Sequence, residues 1–100
     1  MRVLAIIPAR MSSSRFPGKP MADLNGSPMI RHVYEGTISC SLLDLTVVAT
    51  CDMEIAQYVR SIGGRAVMTS DKHVRATDRC AEALEIVEKE DGVCFDIAVM

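Results

Sequence analysis

Apolar runs of strand length alternate along this chain with stretches of helical periodicity. Residues 3–8 form a continuous run of Val, Leu, Ala and Ile that ends at a proline, and such a run is typical of a strand covered on both faces of a sheet. Further apolar runs predict strands at 45–50, 65–68 and 95–100, the first of them rich in β-branched residues. A polar loop, from residue 9 to about residue 26, follows the first strand.

Helices are predicted between these strands. Apolar residues recur at the spacing of one helix face over about 28–40, 53–62 and 78–91. Small polar residues, a proline and glycines at the ends of these stretches are typical of helix caps and stops. They are Ser27 followed by Pro28, Asp52, Thr77, the pair Gly63-Gly64, and Gly92.

The order of these elements predicts the fold class. Strands that alternate with helices imply right-handed crossovers and a mostly parallel sheet between helix layers. We therefore expect an α/β, Rossmann-like three-layer fold, with residues 1–100 in one domain. The sequence stops inside an apolar run, and in such sheets the residues after each strand help to build the ligand site. We accordingly expect this chain to be the N-terminal part of a larger domain.

Composition narrows the classes of function. The 100 residues carry 11 Lys and Arg against 13 Asp and Glu, a formal net charge of −2, which argues against a general nucleic-acid or membrane-surface binder. Aromatic residues make up only 4%, so stacking platforms for single-stranded nucleic acid are not expected. The four cysteines form no C-x-x-C pair and the sequence has no secretory signal, so we expect free thiols in the reducing cytoplasm.

Basic charge is concentrated in the loop after the first strand. Arg10, Arg15 and Lys19 fall there with three serines and Gly18, and the first 22 residues contain no acid. Arginine forks bind phosphate oxygens in pairs, lysine adds a mobile charge, and serine hydroxyls and exposed amides donate further hydrogen bonds. The loop matches neither the Walker A nor the GxGxxG pattern. The composition of this loop therefore favours a polyphosphate-binding site, and a solvated surface loop is the alternative interpretation.

The amino-acid sequence of this loop resembles that of a known family. Its motifs are Ile7-Pro8-Ala9-Arg10, Ser13-Ser14-Arg15 and Pro17-Gly18-Lys19-Pro20. Together they resemble the I-P-A-R-x-x-S-S-R-x-P-G-K-P opening of the 3-deoxy-manno-octulosonate (KDO) cytidylyltransferases, the CMP-KDO synthetases. Further matches follow in order across nearly the whole chain, at 25–30, 48–50, 63–64, 68–70, 73, 77–79 and 81–82.

The resemblance implies a nucleotidyltransferase fold and a reaction. CMP would pass from CTP to a sugar acid of the KDO type with release of pyrophosphate, which activates the sugar for lipopolysaccharide or capsule. Arg10 and Lys19 would be catalytic. The nucleotide-binding residues would be Ala9, Arg10, Ser13, Ser14, Arg15, Lys19, Thr77 and Arg79. Mg²⁺ would be the cofactor, with its ligands beyond residue 100 and none in this chain. CTP and the sugar acid would be the partners, without nucleic acid or membrane, and a homodimer stays open.

Three positions differ from the family's usual sequence. Arg75 and Ala76 stand where the family has Ser and Gly, and Cys51 stands where it has Asp. These differences bear on base and sugar specificity more than on the reaction class. Two other interpretations remain at this point: another sugar nucleotidyltransferase, such as the acylneuraminate type, or a non-catalytic nucleotide-binding fragment. The chain alone is expected to bind nucleotide weakly and to turn over little.

Overall fold

The structure is a computed structural model, and it describes residues 2–11, 19–72 and 76–99. Within these ranges the strands are β1 Val3–Ala9, β2 Asp23–Leu24, β3 Ser27–Pro28, β4 Leu45–Thr50, β5 Arg65–Met68 and β6 Ile97–Val99. The helices are α1 Met29–Ile38, α2 Met53–Ser61 and α3 Ala76–Asp91, and a short 3-10 turn spans Lys19–Met21. None of these helices is long and apolar enough to cross a bilayer.

Four of the strands form one parallel sheet in the order β5-β4-β1-β6. The chain runs outward from β1 through β4 to β5 and then crosses back to place β6 on the other side of β1. Right-handed crossovers in opposite directions put their helices on opposite faces of the sheet. The predicted α/β, Rossmann-like three-layer arrangement is confirmed.

The core has one layer on each face of the sheet, as the alternation of side chains along a strand requires. On one face, Leu4 and Ile6 of β1 pack with Cys80, Ala83 and Val87 of α3. On the other face, α1 and α2 cover β1 and β4 with a second set of apolar side chains, which includes Ile30, Tyr34, Val48, Ile55 and Val59. Because β1 and β4 are covered on both faces, they are rich in Val, Ile and Leu instead of alternating with polar residues.

The segment before α1 differs from the expectation. Ser27 was predicted to cap the helix and Pro28 to be its first residue, but both lie in β3, which pairs with β2 through an antiparallel hairpin. Asn25 and Gly26 form its two-residue turn and both have positive φ, of 53° and 89°. An Asn-Gly pair is the preferred sequence for such a turn, so the predicted uniform loop up to residue 26 was wrong at this end.

Other element ends were predicted with mixed success. The ranges 45–50 and 65–68 match β4 and β5. Gly63 and Gly92 adopt positive φ after α2 and α3, as predicted for helix stops. Thr77 does not cap α3, because the helix already includes Ala76. The last strand spans Ile97–Val99 instead of 95–100, of which residue 100 lies outside the described ranges.

Candidate functional site

The carboxyl ends of three parallel strands meet at one edge of the sheet. Ala9 at the end of β1 lies opposite Thr50 at the end of β4, and Thr50 lies opposite Met68 at the end of β5. Ala9 and Thr50 are buried. The residues that follow these strand ends therefore share the edge at which an open parallel sheet binds its ligands.

Arg10 is the first residue beyond β1 at this edge, and it is half-buried. The backbone next to it is held from the neighbouring strand. The N–H of Met11 donates to Oδ2 of Asp52 at 2.8 Å, and the N–H of Asp52 donates to Oγ1 of Thr50 at 3.0 Å. The segment after β4 thus fixes the path of the chain where it leaves β1.

Arg79 lies beneath the same edge. It stands in the first turns of α3 and is only 3% exposed. Its Nε donates to Oγ1 of Thr69 at 3.2 Å, and its Nη2 lies 3.9 Å from Sγ of Cys51. The guanidinium therefore joins α3 to the segments that follow β4 and β5. Cys51 takes the position where the resembling family has Asp, so a thiol instead of a carboxylate faces Nη2.

A second side chain of α3 also holds this edge. Oε1 of Glu82 accepts a hydrogen bond from the N–H of Ser70 at 3.0 Å. The N–H of Thr69 donates to the carbonyl oxygen of Thr50 at 2.9 Å, which extends the strand ladder by one bond. Burial raises the pKa of the neighbouring Cys80 thiol, and the positive charge of Arg79 partly opposes that shift.

An apolar cavity of about 240 Å³ lies between the end of β1 and the start of α1. Ala9, Pro20, Ile30 and Val33 are among its lining residues. It borders the edge, and its described lining residues carry no charge.

A model of the cytidylyltransferase family matches residues 4–98. The chain belongs to the cytidylyltransferase family.

Curated cytidylyltransferases are similar to it along most of its length. The 3-deoxy-manno-octulosonate cytidylyltransferase of Trichlorobacter lovleyi is 57% identical over 82 residues, which cover 82% of this chain and 32% of that protein. The enzyme of the same name from Parabacteroides distasonis is 48% identical over 99 residues, which cover 99% of this chain and 37% of that protein. The chain thus spans about a third of the length of the relatives it matches.

A solved structure shares this cytidylyltransferase fold. It is that of CMP:2-keto-3-deoxy-manno-octonic acid synthetase complexed with CTP, and it superposes with a TM-score of 0.84 at 43% identity. The match covers 88% of this chain and 36% of that one. The family resemblance in the sequence is confirmed.

The structure brings together some of the predicted nucleotide-binding residues. Ala9 and Arg10 lie at the end of β1, Arg79 lies below the same edge, and Thr77 is exposed in the first turn of α3. Ser13, Ser14 and Arg15 lie outside the described residues, as do the His73 and Arg75 positions. Lys19 begins the 3-10 turn Lys19–Met21, and its side chain also lies outside the description. The roles of all these residues stay predictions.

The residues whose hydrogen bonds hold this edge of the sheet were not predicted from the sequence. Asp52 was predicted as a helix cap, whereas its carboxylate binds the backbone at Met11. Thr69 and Glu82 were assigned no part in the site. The position of Thr69 directly after a strand was an available signal, since such positions face the ligand side of parallel sheets. Nothing local marks Glu82, because Ser70 lies 12 residues earlier, after β5, and only the fold brings the two together.

Metal ligands were expected beyond residue 100, and the described residues do not test that expectation. Within 2–11, 19–72 and 76–99, no group of three or more His, Cys, Asp or Glu side chains is arranged to hold a metal ion.

Proposed function

We propose that this chain forms the CTP-binding part of an enzyme that transfers CMP from CTP to 3-deoxy-manno-octulosonate or a closely similar sugar acid. The position of Arg10 carries this proposal. It is a cation directly beyond β1, at the ligand edge of the sheet, in a fold shared with a synthetase whose structure contains CTP. The relatives' names support the sugar acid as the acceptor.

The reaction that this proposal requires is a single in-line displacement. The anomeric hydroxyl of the sugar acid attacks the α-phosphorus of CTP, a new P–O bond forms, and the bond to pyrophosphate breaks. The hydroxyl proton passes to a base or to solvent. Negative charge builds on the triphosphate during this step, so a guanidinium beside it, as proposed for Arg10, would stabilise the transition state by charge neutralisation. Lys19 and Arg15 would add to the same effect.

The proposal includes Mg²⁺ bound together with CTP, because this ion prefers phosphate and carboxylate oxygens. The proposal also includes a reducing cytoplasmic location, and all four cysteines are free, as such a compartment requires.

The oligomeric state is a separate point. Light scattering on the purified protein distinguishes a monomer from a homodimer.

Calorimetry with CTP, UTP and GTP, each with and without Mg²⁺, tests the binding step. We expect CTP to bind more tightly than the other two nucleotides. Equal binding of all three would favour a non-catalytic phosphate-binding domain, and absence of binding would contradict the proposal. Arg10→Ala is expected to weaken CTP binding about tenfold or more, because one charge-assisted contact contributes about 1.5–3 kcal/mol.

Arg2→Ala is the matched control for Arg10→Ala. Arg2 is exposed and stands at the amino end of β1, seven residues before the other end of the strand. Arg10 is eight residues from Arg2, so at about 3.3 Å per residue the two lie roughly 26 Å apart. We expect its removal to leave CTP binding unchanged.

A chimera tests the transfer step. In it, this chain replaces the matching segment of the Parabacteroides distasonis relative, which aligns over 99 residues. Pyrophosphate release with CTP and 3-deoxy-manno-octulosonate is expected, and N-acylneuraminate in place of that sugar is expected to give much less. The reverse preference would favour the acylneuraminate type of enzyme.

A further inference from the structure

Asp52 occupies the N-cap position of α2 without capping it. The residue has extended backbone angles, φ −103° and ψ 120°, which are those of a helix N-cap. An aspartate at such a position ordinarily accepts a hydrogen bond from a backbone N–H of the first helical turn. Asp52 makes no side-chain hydrogen bond of that kind. Its carboxylate is therefore directed to another partner.

That partner is the chain that leaves β1. Oδ2 of Asp52 accepts the hydrogen bond from the N–H of Met11 at 2.8 Å, across 41 residues of sequence. The Cys51 thiol lies 3.8 Å from the same oxygen. The bond is partly buried, so it competes less with water than a surface contact does.

The two residues on either side of Arg10 are consequently both held by one segment. Ala9 pairs with Thr50 in the parallel ladder, and Met11 is bonded to Asp52. With its neighbours fixed, the backbone of Arg10 has little freedom, and its Cα–Cβ bond leaves the edge in a set direction. A binding residue whose backbone is ordered before the ligand arrives loses less conformational entropy on binding.

We propose that Asp52 is a positioning residue that orients Arg10 for the triphosphate. This inference rests on the proposed function, because it takes Arg10 as a phosphate ligand. Asp52 itself would not contact the nucleotide. Its effect would pass through the backbone at Met11, so a residue that still accepts this hydrogen bond should preserve nucleotide affinity even without a negative charge.

Three substitutions separate positioning from helix capping. Asp52→Asn keeps an acceptor oxygen at the same reach and also keeps a good N-cap residue. Asp52→Ser keeps a good N-cap residue, but its shorter side chain cannot reach Met11. Asp44→Ser is the matched control, because Oδ2 of Asp44 accepts a hydrogen bond from the N–H of Val3 in the same way, at the amino end of β1.

CTP affinity by calorimetry and stability by urea unfolding are measured for all three variants. We expect Asp52→Ser to weaken CTP binding about tenfold, Asp52→Asn to change it less than about threefold, and Asp44→Ser to leave it unchanged. Equal affinity of Asp52→Ser and the unaltered chain would overturn the inference. So would a loss of affinity in Asp44→Ser as large as that in Asp52→Ser, since the effect would then follow general stability.

Hydrogen exchange at the Met11 amide, followed by NMR without nucleotide, gives a readout that does not depend on CTP. The Met11 N–H is expected to exchange slowly in the unaltered chain and in Asp52→Asn, and faster in Asp52→Ser. The same exchange rate in all three would refute the positioning role. If the unaltered chain binds no CTP, the proposed function fails, and this measurement still decides whether Asp52 holds Met11. If Asp52→Ser does not fold, a tenfold loss of affinity in folded Asp52→Asn would contradict the inference and retained affinity with slow Met11 exchange would support it.

Discussion

The guanidinium of Arg79 donates from Nε to the hydroxyl of Thr69, 3.2 Å away, with both side chains inside the protein. One partner comes from α3 and the other from the segment after β5. The bond therefore ties a helix on one face of the sheet to the edge at which the strands end. Burial of a charge is costly unless hydrogen bonds compensate it, so the contacts of Arg79 with Thr69 and Cys51 are expected to contribute to stability.

Removing either partner is expected to lower the free energy of unfolding. Arg79→Met leaves the groups around Thr69 without their donor, and Thr69→Val leaves Nε of Arg79 without its acceptor. Each should cost about 1–3 kcal/mol in urea unfolding. The double variant should cost less than the sum of the two, since the second change removes a group already unpaired. Strict additivity would show that the two side chains do not interact.

Gly64 is expected to tolerate no side chain. A Cβ there would lie 2.8 Å from Cγ1 of Val59 and 3.0 Å from Cζ of Tyr34, both in the core. Gly64→Ala should therefore destabilise the protein by about 1–3 kcal/mol, the usual cost of overpacking. Gly36→Ala is the control, because nothing lies within 4 Å of its Cβ position and Gly36 stands inside α1. Alanine there should stabilise the protein by up to about 1 kcal/mol.

The ion pair between Arg65 and Asp91 predicts a dependence of stability on pH. Arg65 Nη1 donates to Asp91 Oδ2 at 2.9 Å, and this hydrogen bond holds the pKa of Asp91 below its ordinary value. The unfolded chain therefore binds this proton at a higher pH than the folded chain does. The stabilising contribution is complete above the unfolded pKa, near pH 4, and is lost as the pH falls through the lower folded pKa.

Asp91→Asn tests that dependence. Its free energy of unfolding should fall below that of the unaltered chain at pH 6, and the two should converge as the pH is lowered toward 3. Glu85→Gln, an exposed change on the same helix, should show no such convergence. A difference between Asp91→Asn and the unaltered chain that stays constant from pH 6 to pH 3 would contradict the assignment.

The four thiols should differ in reactivity. Cys40 and Cys94 are exposed, whereas Cys80 is buried in the core, where burial raises its pKa and lowers its thiolate fraction. Brief treatment of the folded protein with iodoacetamide at pH 8 should alkylate Cys40 and Cys94 and spare Cys80. Mass spectrometry of the peptides measures this, with urea-unfolded protein as the reference in which Cys80 reacts. Equal modification of Cys80 and Cys94 in the folded protein would contradict the described core.

Periodicity along the chain was enough to predict the fold class, the bounds of β4 and β5, and the glycine stops after α2 and α3. These features depend on each residue's neighbours in sequence, whose apolar spacing decides which face a side chain occupies. The position of Arg10 at the ligand edge followed as well, since it comes directly after an apolar strand. Asn25 and Gly26 carried a local hairpin signal that was missed.

The hydrogen bonds that hold the ligand edge of the sheet could be found only in the tertiary structure. Asp52 is a reasonable helix cap by its position, and only the pairing of β1 with β4 brings Met11 within its reach. Likewise, only the packing of α3 buries Arg79 against Thr69, and its part in nucleotide binding stays a prediction. A polar side chain has several possible hydrogen-bond partners. Which of them it contacts depends on which strands become neighbours in the fold, and not on the residues beside it in the sequence.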